Sequence, residues 1–219
     1  MTQTLSSELA QTYRQIEALV MLTKCLPLRH PLPPMRGWSV SPDLALLLYE
    51  LVHTHEPALV VELGAGVSTL VLGYALESAG RGRLISFEDD AAHARRVVDL
   101  VRRHRLEDRV EVVHAGLQET HLAGESWQWY GPEIEDTLVG QRAQLVFVDG
   151  PPGTLQPLAR YPARRRLAPF LADDAILVLD DVARPDEWAI AERWLRDDRR
   201  LTLQRIGHEK GTAILTRSR

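Results

Sequence analysis

The sequence predicts an α/β fold built on a doubly wound, mostly parallel sheet. Three observations lead there. Five short apolar runs, at residues 59–63, 83–88, 110–114, 144–149 and 175–180, are separated by segments of helical periodicity. The runs are continuous rather than alternating, the pattern of strands covered on both faces. A Gly-x-Gly turn, Gly64 and Gly66, follows the first run where a strand must pass into a helix. A chain of 219 residues, 45% hydrophobic and 26% charged, is long enough to bury one such core.

The elements follow in order. Residues 5–24 carry Leu5, Leu9, Ile16, Leu19, Val20 and Met21 at helical spacing, so an amphipathic helix opens the chain. Residues 26–34 hold Pro27, Pro31, Pro33 and Pro34, too many for a helix or a central strand. This stretch reads as a connector, which makes 1–37 an N-terminal extension and 38–219 the main domain. Ser41 as N-cap with Pro42 in the first turn starts a helix that runs to about His53. Helices are then expected from Ser68 to about Ser78 and from Ala91 to His104. Residues 201–206 and 212–216, joined by Gly207-His208-Glu209-Lys210-Gly211, form a closing hairpin, so the last strand runs antiparallel to the others.

In open α/β sheets a ligand sits beyond the carboxyl ends of the strands, where the strand order reverses. Gly64 and Gly66 let backbone turn tightly there, and the amides of the following helix point at the same spot. Glu88 ends the second strand, where an acid accepts hydrogen bonds from ribose hydroxyls. This is the pattern of an adenosine-type cofactor site. A dinucleotide would want a third glycine where Thr69 stands, and the Gly-Lys-Ser/Thr phosphate loop is absent. Glu62 would repel a pyrophosphate but suits a ligand carrying an ammonium group, as S-adenosyl-L-methionine does.

Val60-Val-Glu-Leu-Gly-Ala-Gly-Val-Ser-Thr69 resembles the first motif of class I S-adenosylmethionine-dependent methyltransferases. Ile85-Ser-Phe-Glu88 resembles the second, and Val146-Phe-Val-Asp149-Gly-Pro-Pro the fourth; the resemblance spans roughly residues 38–217. It implies a Rossmann-like seven-stranded sheet in the order 3-2-1-4-5-7-6 with strand 7 antiparallel. It also implies that Gly64, Ala65 and Gly66 face the cofactor's amino-acid tail, with Glu62, Ser68, Thr69 and Asp149 nearby. Glu88 would take the ribose and Asp89 the adenine side, with His114 to Gly116 bordering the adenine. Asp149-Gly-Pro-Pro and Leu179-Asp-Asp181 look most like bacterial small-molecule methyltransferases of secondary metabolism and polysaccharide pathways.

Asp149 ends the fourth strand, and Asp180 and Asp181 end the fifth. Adjacent strands lie about 4.8 Å apart, so the three carboxylates are placed to converge. Three roles are open to them. They bind Mg²⁺, which clustered hard oxygens suit; they cap the helix near Pro185 and start the turn before Pro151; or Asp149 acts without metal. Metal-dependent O-methyltransferases carry a similar acid pattern, and the reaction it implies is transfer of the sulfonium methyl to a hydroxyl that the metal acidifies. Catechol-type members place a lysine base after the first acid, where this chain has Pro151, Pro152 and Gly153. The general base is left unassigned by this pattern; His208, in the closing hairpin, is either a base or substrate contact or a solvated turn histidine, and His30 and His121 are weaker candidates. Trp127, Trp129 and Tyr130 lie in a long connection that either shapes a substrate pocket or packs as a satellite cluster. Trp38 to Ser41 either folds over the cofactor's tail or serves only to pack Trp38.

A net charge of −4, with arginines interleaved among acids, gives no reason to expect a nucleic-acid partner. Only Arg164 to Arg166 forms a basic run, read as a solvated helix face. A single cysteine, Cys25, excludes an intramolecular disulfide and fits a reducing compartment. With no apolar run near the ~20 residues of a membrane span, the expected location is the cytoplasm. The leading expectation is methylation of a small-molecule acceptor, a sugar or secondary metabolite, by a protein that dimerises through its N-terminal helix. Two other readings are an aminopropyltransferase-like enzyme on the same fold and a non-catalytic cofactor-binding or interaction protein.

Overall fold

A computed structural model of the chain describes residues 2–217, with side chains from Glu8 onward; Leu5 lies outside those described side chains. Seven strands form one sheet: β1 (Leu59–Leu63), β2 (Arg83–Glu88), β3 (Val110–His114), β6 (Ala143–Val148), β7 (Leu171–Asp180), β8 (Leu201–Ile206) and β9 (Thr212–Arg217). Their order is β3-β2-β1-β6-β7-β9-β8. With the separate pair β4 (Leu117–Leu122) and β5 (Glu125–Tyr130) set aside, this is the order 3-2-1-4-5-7-6 that the motifs imply. β1, β2, β3, β6 and β7 pair in parallel, while β9 runs antiparallel to both of its neighbours. The chain order reverses between β1 and β6, which opens a crevice above their carboxyl ends.

Helices cover both faces. On one face α2 (Pro42–His55), α3 (Val67–Ser78) and α4 (Ala91–Arg103) bury Leu44, Leu48, Leu70, Val71 and Val97 against Val60 and Phe147. On the other, α6 (Pro162–Leu167) and α7 (Pro185–Asp197) bury Leu167, Ile190 and Trp194 with Val61, Leu63 and Val148. Successive β1 residues thus go to opposite faces, both of them dry, and this explains why the strand reads as a continuous apolar run. The N-terminal helix α1 (Thr2–Cys25) sends Leu22, and Leu26 just beyond it, into the same core as α2 and α3. The proline-rich stretch then crosses the sheet's rim as an irregular strap.

Three expectations are corrected. Residues 117–130 form a two-stranded antiparallel hairpin, β4 (Leu117–Leu122) and β5 (Glu125–Tyr130), rather than a long open connection. Trp127, Trp129 and Tyr130 belong to the main core: Trp127 and Trp129 are alternate β5 residues that pack inward, and Tyr130, at the strand's end, is buried beside Gly150. Arg164 to Arg166 are a solvated face only in part: Arg164 is buried and pairs with Asp198 at 2.6 Å, Arg166 is half-buried against Glu135, and Arg165 stays exposed beside Asp197 at 3.1 Å. α6 is short and lies between the end of α7 and α5 (Glu133–Leu138), so each of its basic side chains meets an acid. Ser41 occupies the N-cap position of α2 but makes no capping bond; its hydroxyl donates to Asp43 Oδ1 at 2.6 Å. Among the described residues, no helix is long and apolar enough to cross a membrane.

Leu22 is fully buried where α1 meets the rest of the core. Leu22→Ala is expected to cost about 2–5 kcal/mol in a urea titration. A loss under about 1 kcal/mol would show that α1 is not part of the cooperative core.

Candidate active site

The site begins where β1 ends. Gly64 has φ +90°, and its amide donates to Phe87 O at 2.8 Å. A Cβ there would stand 3.1 Å from the carbonyl of Asp149, so the β1 and β6 turns meet backbone to backbone. Asp149 N in turn donates to Leu63 O at 2.9 Å. A Cβ on Gly66 would touch nothing within 4 Å, because the residue borders open space. Between them, Ala65 N donates to Glu88 Oε2, and Glu88 Oε1 accepts the Asp90 amide, both at 3.0 Å. Glu88 thereby ties the glycine turn to the end of β2.

Beneath the turn lies a polar knot. Glu62 is fully buried and accepts hydroxyl bonds from Thr69 and Ser86, both at 2.5 Å; its other oxygen has no partner. Thr69 Oγ1 also accepts the Gly66 amide at 2.8 Å, closing the first turn of α3. Thr69, in the place of a third glycine, therefore fastens helix to strand through Glu62.

Above the turn is a cavity of about 530 Å³. Of the residues expected to bind cofactor, Gly64, Ala65, Gly66, Ser68, Asp89 and Asp149 line it. Glu62, Thr69, Glu88 and Gly116 do not. The first three support the floor from behind, and Gly116 O accepts Gly131 N at the neck of the hairpin. Trp38 to Val40 line the cavity mouth, and Trp38 is well exposed there. His208 is not among the lining residues. Its Nδ1 lies 2.9 Å from Thr212 Oγ1, Asp43 of α2 faces it, and burial holds its pKa down. The hairpin reaches the site through Lys210 instead, whose Nζ donates to Gly37 O and Ser39 O at 2.9 and 2.7 Å and pins the strap.

The three rim acids do converge. Asp149, Asp180 and Asp181 bring one carboxylate oxygen each within 4.8 Å of one another. None of them caps α7: its N-cap is Arg184, which has no side-chain cap. Arg160, 2% exposed, lies among them with Nη2 at 3.0 Å from both Asp149 Oδ1 and Asp181 Oδ2. Asp180 Oδ2 and Asp181 Oδ1 stay buried without a partner. Burial pushes the Asp149 carboxyl well above the usual carboxylate range, the Arg160 charge opposing it, and burial does the same to Asp180.

Sequence reasoning missed Arg160, Lys210 and His93. His93 Nε2 lies 2.9 Å from Ala65 O, so α4 helps to hold the glycine turn. These three carry no motif, and only the fold brings them to the rim.

Burial raises the Glu62 carboxyl from 4.5 to about 7, against the hydroxyl bonds from Ser86 and Thr69. Between those two values the unfolded chain ionises while the folded protein keeps its proton. This contribution to stability is fully present below pH 4.5 and is lost as pH rises to about 7. Glu62→Gln, which cannot ionise, is expected to flatten the fall in denaturation midpoint over that window. Parallel wild-type and mutant curves would reject a neutral buried Glu62.

The fold recurs in solved methyltransferases. The O-methyltransferase TomG of Streptomyces achromogenes, involved in tomaymycin synthesis and solved with S-adenosylmethionine, is 17% identical, with 96% of each chain covered and a TM-score of 0.64. The S-adenosylhomocysteine-bound methyltransferase PaMTH1 of Podospora anserina is 13% identical over 94% of this chain and 88% of its own, with a TM-score of 0.64. An O-methyltransferase of Bacillus cereus in complex with S-adenosylhomocysteine is 20% identical over 93% and 90%, with a TM-score of 0.60. No curated protein matches in sequence. The model of a methyltransferase-domain family matches residues 61–182, more than half of the chain. A Rossmann-like sheet in this strand order, a glycine turn at its switch point and that match have one meaning: the protein belongs to the methyltransferase-domain family.

Proposed function

We propose that the protein is an S-adenosylmethionine-dependent O-methyltransferase acting on a small hydroxylated acceptor, a sugar or a secondary metabolite. The observation that carries this reading is the Gly64–Gly66 turn, tied by Glu88 beneath a cavity that also takes in Asp149. The open space at Gly66 admits a ligand against the backbone. Asp89 and Asp149 line this space and Glu88 stands behind its floor, an acidic surround that favours a cationic ligand over a pyrophosphate. The structural neighbours solved with S-adenosylmethionine or its product share the fold and support the same choice of cofactor.

In this mechanism the backbone of Gly64 to Gly66 and the Ser68 hydroxyl hold the cofactor's amino-acid tail, Asp89 borders its nucleoside, and Glu88 braces the turn from behind. Bound there, S-adenosylmethionine supplies an electrophilic methyl group. Asp149, at the junction of the glycine turn and the acidic rim, orients the acceptor hydroxyl and takes up its proton. Its raised pKa makes it a stronger base than an exposed carboxylate. The strap at Trp38, pinned by Lys210, walls the cavity from water. The rim also fits a hard divalent cation, because Asp180 Oδ2 and Asp181 Oδ1 are buried carboxylate oxygens without partners, beside Asp149. Mg²⁺ held by these three acids would serve as a Lewis acid toward the hydroxyl.

The outer face of α1 exposes Leu9, Tyr13, Ile16 and Val20, a seam with alternating spacings of four and three residues. That is the pattern by which a helix meets a second copy of itself, and it supports a homodimer through α1.

Calorimetry should show S-adenosylhomocysteine binding to the wild type and binding about tenfold weaker or worse to Glu88→Ala. Equal affinities would remove Glu88 from the site. With methyl-labelled cofactor and a panel of phenols and sugars, Asp149→Asn is expected to lower transfer roughly 10²-fold while retaining product binding. Label that enters only nitrogen or sulfur acceptors would reject O-methylation. Ile16→Glu should halve the sedimenting mass, and an unchanged profile would reject the α1 interface.

A further inference from the structure

The rim places two demands on the same carboxylates. One comes from the divalent cation that Asp149, Asp180 and Asp181 are suited to hold. The other is already met by Arg160. The guanidinium is fixed on nearly every side: Nη2 bridges Asp149 Oδ1 and Asp181 Oδ2, Nη1 donates to Asp180 O at 3.3 Å, and Nε donates to Pro151 O at 3.3 Å. The next residue anchors the segment, since Tyr161 O accepts Trp194 Nε1 at 2.9 Å and Tyr161 Oη donates to Asp197 at 2.7 Å. Arg184 Nη1 adds a second positive charge 3.0 Å from Asp181 Oδ2.

A guanidinium in this seat has two effects. It neutralises part of the acidic cluster, so the rim can close around three acids with no ion present. It also takes one oxygen from Asp149 and one from Asp181, leaving a positive charge beside any ion that the remaining oxygens bind. In a buried site that repulsion is weakly screened. We propose that Arg160 is a resident counter-cation that competes with a divalent ion for Asp149 and Asp181 and thereby keeps the ion affinity of the cluster low. Arg160 is on this view a positioning residue for the acids, and it sets how much the site depends on metal. The proposal rests on the reading that the three acids take a divalent cation.

The test titrates Mn²⁺ into the intact protein and follows the loss of the free-ion electron paramagnetic resonance signal, with melting temperature recorded alongside. Wild type should bind Mn²⁺ weakly and melt at nearly the same temperature with and without it. Arg160→Gln should bind at least tenfold more tightly, melt lower without ion, and recover part of that loss when Mn²⁺ is added. Arg160→Lys keeps a charge without the fork and remains measurable if the glutamine variant does not fold; it should bind Mn²⁺ more tightly than wild type by a smaller factor. Asp180→Asn in the wild-type background should abolish the titration. Equal Mn²⁺ affinity in wild type and the Arg160 variants, with Asp180→Asn still abolishing it, would overturn the role of Arg160 and leave the metal reading standing. No titration in any form would overturn both.

Discussion

The close passage of two backbones at the sheet's switch point is the constraint on which the rest of the site depends. Gly64 lies against the carbonyl of Asp149, and the Leu63 and Asp149 main chains are hydrogen bonded across the gap. This contact sets the floor of the cavity and delivers Asp149 beside the glycine turn. It requires glycine at 64 for two reasons, a positive φ and the lack of room for a side chain. Gly150 is required by space alone, because a Cβ there would stand 2.9 Å from Gly64 N and collide with the Tyr130 hydroxyl.

Charge is the second organising element. The rim buries or half-buries Glu62, Glu88, Asp149, Asp180 and Asp181, each at a cost in desolvation. The fold meets that cost differently at each. Hydroxyls of Thr69 and Ser86 serve Glu62, backbone amides serve Glu88, and Arg160 serves Asp149 and Asp181. Carboxylate oxygens on Glu62, Asp180 and Asp181 are left without partners; Asp181 lines the cavity, and Glu62 and Asp180 do not. Acids kept under such tension favour the arrival of a positive group, whether an ammonium, a sulfonium or a metal ion.

The strap over the cavity joins the two ends of the chain to the site. Residues 36–40 lie between α1 and the main core, and Lys210 from the β8–β9 turn holds their carbonyls. The N-terminal extension and the antiparallel hairpin therefore act on the same wall. Gln15 of α1 reinforces this by bonding to Asp43 at 2.7 Å, and Asp43 accepts the Glu209 amide at 2.9 Å.

Much of this was legible in the sequence. Continuous apolar runs identified β1, β2, β6 and β7 because a strand covered on both faces has no polar side to show, while β3, at the sheet's edge, was found through its valines although it is only partly covered. Gly64, Gly66 and Glu88 declared a cofactor turn because their chemistry is local: a tight bend, open space, and an acid at the next strand's end. Asp149, Asp180 and Asp181 could be placed together because parallel strands align their ends. The β4–β5 hairpin was not legible, since Trp127, Trp129 and Tyr130 are core residues on a short strand and mimic a loop cluster. Nor was Arg160 or Lys210, each delivered from a segment with no pattern of its own to a partner many residues away. His208 shows the converse: the topology suggested its turn lay near the rim, yet packing against α2 decided where its ring went. Sequence alone determined the strand framework and the cofactor turn, because both follow from periodicity and short-range backbone chemistry. Only the tertiary structure decided which charges meet, because that depends on side chains packing across distant elements.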